Sequence, residues 1–274
     1  MGEVIKIGAV LYDPRVSVIW EIIRDFFDTN NCPIDVSFYK NYEIQVDDLL
    51  KGKIDIAWNS PLAWLDAQRK SGENCRAIAM RDTDRDRVSY IVVRENSCIK
   101  NFTDLKNQKL AFGAKDSPQA TLIPIGCLHQ NGLSPNQDYE LVRCDVLLGK
   151  HGDHIGGELE GFRCLQNEKV VATAMLDLNW ESWIRDGTLD PTLYSILAIT
   201  SKFDHCVFSV SGGFSEDREK HWLSILFSMS YANQDHREMM DLEGLKEWLP
   251  GRTTGFQPLR EAIKLQDFFK ETNK

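Results

Sequence analysis

The chain has 274 residues, 42% hydrophobic and 27% charged, a balance that supports one large or two ordinary folded domains and excludes collagen, coiled coil and disorder. Its 32 Lys and Arg against 41 Asp and Glu leave a formal charge of −9, so no global field draws it to nucleic acid or to an anionic membrane. Any anion it holds must be held by a local site.

Val4 to Leu11 is a β-rich run broken at Tyr12-Asp13-Pro14-Arg15. Ile19, Trp20, Ile22, Ile23, Phe26 and Phe27 then recur at the spacing of an amphipathic helix. Ile34 to Tyr39 alternates as a strand, Val46 to Leu50 is a short helix stopped at Gly52, and Ile54 to Trp58 is a strand ending at Asn59-Ser60-Pro61. Pro61 suits the first turn of a helix running to Lys70, where its missing donor costs nothing. Ala77 to Met80 and Ser89 to Arg94 read as strands on either side of Arg81 to Arg87, a charge cluster expected to be a solvated loop.

A second alternation begins with a helix at Asn101 to Leu105. It continues with a strand at Lys109 to Phe112, a helix from about Pro118 to Gln130 and a strand at Tyr139 to Arg143. A helix from about Ile155 to Gln166, a strand at Val170 to Met175 and a helix at Trp180 to Arg185 complete it. Strands at Leu193 to Ile199 and Cys206 to Val210 lead into helices near Glu216 to Ser230, Asp235 to Asp241 and Pro258 to Phe269. Alternation at this spacing indicates an α/β chain of βαβ units on mainly parallel sheets, which bind ligands at strand C-terminal ends. Two similar halves suggest two lobes: residues 1–94 with 200–274 as the first and 95–199 as the second, with a ligand cleft at the hinge.

No run of eighteen apolar residues occurs, so no membrane insertion is expected, and a basic start with an apolar stretch and small-residue cleavage site is missing. The seven cysteines are scattered and never form C-x-x-C, which reads as free thiols in a reducing compartment. Cytosolic residence is therefore expected, or periplasmic residence if a signal peptide was removed. G-x-S-x-G, Walker and G-x-G-x-x-G motifs are absent, which argues against serine hydrolase, NTPase and dinucleotide chemistry.

Four segments in order, IKIGAVLYDPRV, LLKGKIDIAWNSPLAWLDA, FTDLKNQKLAFGAKDSPQATLIP and VVATAMLDLNWESW, resemble the phosphonate-binding type of the type II periplasmic binding proteins across residues 4–265. The resemblance implies a two-lobed clamp closing on a small solute, with an ABC transporter as partner if the chain is exported. It also implies that the turn after the second lobe's first strand, Gly113 to Thr121, holds phosphonate oxygens at a helix start. Unpaired backbone donors and the helix dipole favour an anion there. Ser117 and Thr121 match the expected hydroxyls, while Pro118 and Gln119 replace a run of Ser and Thr. The same fold includes cytosolic enzymes, and Gly149 to Glu158 is a dense polar loop where a simple binder needs only a helix start.

The candidate ligand contacts are Tyr12, Trp58, Asn59, Ser60, Tyr90, Ser117, Gln119, Thr121, His154, Asp177 and Asn179. Each has a plainer role. Asp116, Ser117 and Ser60 cap helices in any protein, and Tyr12, Trp58, Tyr90 and Trp180 pack cores by default. Asp177 and Asn179 either contact a ligand amine or hydroxyl or cap the next helix. His151 and His154, spaced H-x-x-H around Asp153, offer a hydrogen bond to a ligand oxygen; a metal is not expected, since no helix aligns the two rings. The leading expectation is binding of a small anionic metabolite, phosphonate- or phosphate-like or a carboxylate, without cofactor. The alternative is a cytosolic lyase, dehydratase or ring-rearranging synthase with His154 or His151 as general base and Asp177 as its orienter.

Overall fold

The computed structural model describes residues 4–153 and 156–271. In chain order the first elements are β1 (Ile5–Val10), α1 (Arg15–Thr29), β2 (Ile34–Tyr39), α2 (Tyr42–Leu50), β3 (Ile56–Asn59), α3 (Pro61–Ser71) and β4 (Arg76–Arg81). There follow β5 (Ser89–Arg94), β6 (Lys109–Phe112), α4 (Ile123–Gln130), β7 (Glu140–Arg143), α5 (Gly156–Gln166), β8 (Ala172–Leu176), α6 (Asp177–Arg185) and β9 (Tyr194–Ile199). The chain closes with β10 (Val207–Val210), α7 (Glu216–Leu226), α8 (Gln234–Glu243), β11 (Trp248–Pro250), α9 (Gln257–Leu265) and α10 (Phe268–Glu271). Asn101 to Leu105, expected to be a helix, is a single 3-10 turn held by an Asn101–Asp104 capping box.

Two compact units divide these elements. One runs to Arg85 and resumes over Asp204–Gly255; the other is Asp86–Phe203 and resumes at Phe256. The first carries a sheet in the order β11-β4-β10-β3-β1-β2. β1 pairs parallel with β2 and β3, whereas β10 runs antiparallel to β3 and β4. α1 lays Val16, Ile19, Trp20, Ile23 and Phe27 on this sheet, where Phe27 stacks on Trp222 at 5.4 Å and Phe208 meets Trp222 and Trp58 at 5.0 and 4.5 Å. Burying rings of this size is the main driving force of the unit.

The second unit has a sheet in the order β7-β6-β8-β5-β9, in which β5 alone runs against its neighbours. Strand alternation divides its core in two. Ile91, Val93, Leu110 and Phe112 pack with Ile125 and Leu128 of α4, while Val92, Ala111 and Met175 pack with Phe162 and Leu165 of α5 and Trp183 of α6. Both faces are covered, as a mainly parallel sheet requires.

The unit boundaries differ from the expected 1–94, 95–199 and 200–274. β5 pairs with β8 and β9, so it belongs to the second sheet. The tail from Phe256 also belongs there, because the Gln266 side-chain amide donates to the Leu122 carbonyl at 2.9 Å and Ala262 of α9 lies against Gly126 of α4. The Arg81 to Arg87 segment is likewise not a solvated loop. Asp84 is 1% exposed and takes two hydrogen bonds from the Arg81 guanidinium, at 2.6 and 2.8 Å.

Candidate functional site

Three strands of the second unit, β6, β7 and β8, run parallel and end side by side, and the turns after them pack together. After β6 the chain turns through Gly113 to Asp116, and Ser117 caps the next segment by accepting the Ala120 amide at 3.2 Å. Pro118–Leu122 is a π-helical turn, closed by the Leu122 amide on the Ser117 carbonyl at 3.0 Å, before α4 begins. Single π turns of this kind recur at functional sites because they widen the backbone locally. Ser117, Gln119 and Thr121 are all buried. The Thr121 hydroxyl and the Gln119 side-chain oxygen have no hydrogen-bond partner among the described residues.

The loop after β7 lies on this turn. Asp116 accepts the Gly149 amide at 2.6 Å and the His151 amide at 3.4 Å, and the Gln119 amide nitrogen donates to the Gly152 carbonyl at 2.6 Å. Gly152 has φ +74°, and a Cβ there would stand 2.3 Å from the Ser117 hydroxyl, so only glycine fits. His151 is 4% exposed with φ +51°, and Asp116 draws its loop inwards. His154, expected as ligand contact or general base, falls outside the described residues.

The start of α5 joins the same group. Gly157 packs against the Cys144 carbonyl and the Ala114 amide. Glu158, 2% exposed, accepts the Leu176 amide and the Asn179 side-chain amide, both at 2.8 Å. Asn179 is thereby fixed to α5. Asp177 opens α6, accepts the Leu178 amide at 2.9 Å and pairs with Arg87 at 3.6 Å. Burial raises its carboxyl above the ordinary carboxylate range, with Arg87 opposing. Tyr90 sits edge-on to Trp180 at 6.0 Å, and its phenol is pushed up by burial and by the neighbouring Asp177 charge. Glu158 and Arg87 were missed from sequence, where each is one charge among many; the Gly156-Gly157 pair before Glu158 was the available sign of close approach.

In the first unit the expected contacts are built into the core. Trp58 packs on Phe208, with the Arg81 guanidinium 5.2 Å from its ring centre. Asn59 accepts from Gln45 at 2.9 Å and donates to Ser209 at 2.7 Å, so both ends of its amide are engaged. Ser60 caps α3 by accepting the Ala63 amide at 3.1 Å. Tyr12 is half-buried against the core. Among the described residues one group has metal-ligating atoms close together, Asp84, His205 and Cys206. Arg81 already occupies both Asp84 oxygens there, and its cation opposes a metal.

Comparison with known proteins shows the family and the fold. The family of the ABC transporter, phosphonate, periplasmic substrate-binding protein matches residues 21–254. The probable ABC transporter phosphite binding protein PhnD1 of Prochlorococcus marinus is 22% identical over 94% of this chain and 88% of its own length. The structure of Prochlorococcus PhnD1 in complex with methylphosphonate superposes with a TM-score of 0.72 at 19% identity, covering 96% of this chain and 98% of the other. XAC2383 from Xanthomonas citri bound to ATP gives 0.73 at 15% identity, covering 97% and 99%. At these identities the structures share the two-lobed type II periplasmic-binding-protein fold. A periplasmic, substrate-binding family supports neither the expected cytosolic residence nor the lyase or synthase alternative. The chain belongs to the phosphonate periplasmic substrate-binding proteins of ABC transporters.

Proposed function

We propose that this protein works in the periplasm, binding a small oxyanion of the phosphonate, phosphite or phosphate-ester class and passing it to an ABC transporter. The observation that carries the reading is the Ser117–Leu122 turn, at the C-terminal end of a parallel strand, with the buried Thr121 hydroxyl left unpaired. A buried hydroxyl without a partner costs about 1–3 kcal/mol, which a bound oxyanion returns. Ser117 accepts the Ala120 amide, so its own proton is available to a ligand oxygen as well. Tyr90, Asp177 and Asn179 are assigned to the ligand's organic substituent, where Asp177 favours an ammonium or hydroxyl.

Calorimetry with methylphosphonate, phosphite, a phosphate monoester and acetate tests the reading. Binding of at least one phosphorus oxyanion in the micromolar range is expected, weakened about ten- to a hundredfold by Ser117→Ala and by Thr121→Val. Absence of heat for every oxyanion at millimolar concentration would overturn it.

A further inference from the structure

Gln119 departs from the hydroxyl pattern of its turn, and its surroundings fix which way its amide faces. One edge meets the Gly152 carbonyl at 2.6 Å, so that edge is the NH2 group, because a carbonyl there would set two acceptors face to face. The other edge therefore presents Oε1, buried and unpaired. The residue is held on its main chain too, where its carbonyl accepts the Ser89 hydroxyl at 2.6 Å. Its neighbour Asp116 adds a second buried, unpaired acceptor, Oδ1, while Oδ2 holds Gly149. A turn of this family that binds an oxyanion needs donors, yet this one also contains acceptors that ask for a donor from the ligand.

The charge states of candidate ligands differ in that respect. A sulfonate, or a fully ionised phosphonate, carries acceptors only and would set a lone pair against Oε1. A phosphonate or phosphite monoanion keeps one P–OH, which donates to Oε1 while its other oxygens accept from Ser117, Thr121 and backbone amides. We infer that Gln119 makes this site selective for the singly protonated form of a phosphorus oxyanion, against sulfonates and against dianions. The inference rests on the reading of the turn as the oxyanion site.

Calorimetry on the whole chain with methylphosphonate and methanesulfonate, two ligands of nearly equal shape, provides the test. The pH runs from well below to well above the second ionisation of the phosphonate. The titratable groups on elements packed around Gln119 are Asp116 on its own turn, His129 on α4, His151 and Asp153 in the covering loop, Asp177 after β8, and Arg260, Glu261 and Lys264 on α9. Methanesulfonate has no proton to lose here, so any pH effect it shows belongs to those groups and is subtracted.

Methylphosphonate is expected to bind about ten- to a hundredfold more tightly than methanesulfonate at low pH and to lose that margin as its second proton leaves. Gln119→Met, close in size and without the acceptor, is expected to bring the two ligands within about threefold of each other. Equal binding of the two by the unaltered protein, or tighter binding of the phosphonate dianion, sinks the inference and leaves the oxyanion reading standing. Silence from both ligands, and from phosphite and a phosphate monoester as well, defeats the oxyanion reading itself and this inference with it. Full discrimination by a folded Gln119→Met variant would show that another group makes the selection.

Discussion

Asp84 shows how a single residue changes meaning once its neighbours are known. Burial would raise its carboxyl, but the Arg81 charge, the Arg81 hydrogen bonds and His205 together hold it down at about 2. A folded value below the ordinary 3.8 means that the ionised form stabilises the fold, fully above about pH 4 and progressively less as pH falls towards 2. The denaturant midpoint is therefore expected to drop across that window, and Asp84→Asn to flatten the drop. The same substitution is expected to cost about 1–3 kcal/mol at neutral pH, since it leaves the buried Arg81 cation with the Glu243 carboxylate alone. In the sequence Arg81-Asp82-Thr83-Asp84 looks like a solvated charge run, because composition records charges and not which of them meets a partner away from water. Ser117 and Thr121 were legible as candidates from residue type and place in the chain, whereas the Asn59 side chain was not, its partners Gln45 and Ser209 lying 14 and 150 residues away.

Helix α5 illustrates the element scale. Gly157 and Gly161, four residues apart, share one face of it, and that face lies on the strand ends: a Cβ on Gly161 would stand 2.6 Å from the Thr173 hydroxyl of β8 and 3.7 Å from Ala111 of β6. In an exposed helix Gly→Ala would gain about 1 kcal/mol. Here Gly161→Ala is expected to lose about 1–3 kcal/mol through overpacking, and Thr173→Ala to recover part of that loss in a double-mutant cycle read by urea denaturation. Element existence was readable from hydrophobic period for most of the chain, as for β2 and β5, whose limits coincide with the expected ones. β11 was not, because a three-residue strand, Trp248–Pro250, has no period to detect and exists only by pairing with β4. The π turn before α4 was merged into a helix for the same reason, its widened hydrogen bond being invisible to side-chain spacing.

At the scale of the whole molecule the main finding is which parts of the chain share a core. The tail from Phe256 buries Leu259, Ala262 and Ile263 and hydrogen-bonds Leu122. A chain ending at Gly255 is therefore expected to lose amide-exchange protection first within residues 86–203, with residues 4–85 retaining theirs; the opposite order would show the tail to matter elsewhere. What the sequence determined by itself was the α/β class, the two-unit organisation, the family resemblance and the turn after β6, because these depend on period, order and residue type along the chain. The tertiary structure decided the unit to which β5 and the tail belong, how Glu158 ties α6 to α5 and how Asp116 holds the loop after β7 on the turn after β6. It also decided which way the Gln119 amide faces. Those outcomes depend on contacts between residues far apart in the chain, where burial turns an unpaired polar atom from a neutral feature into a demand for a partner.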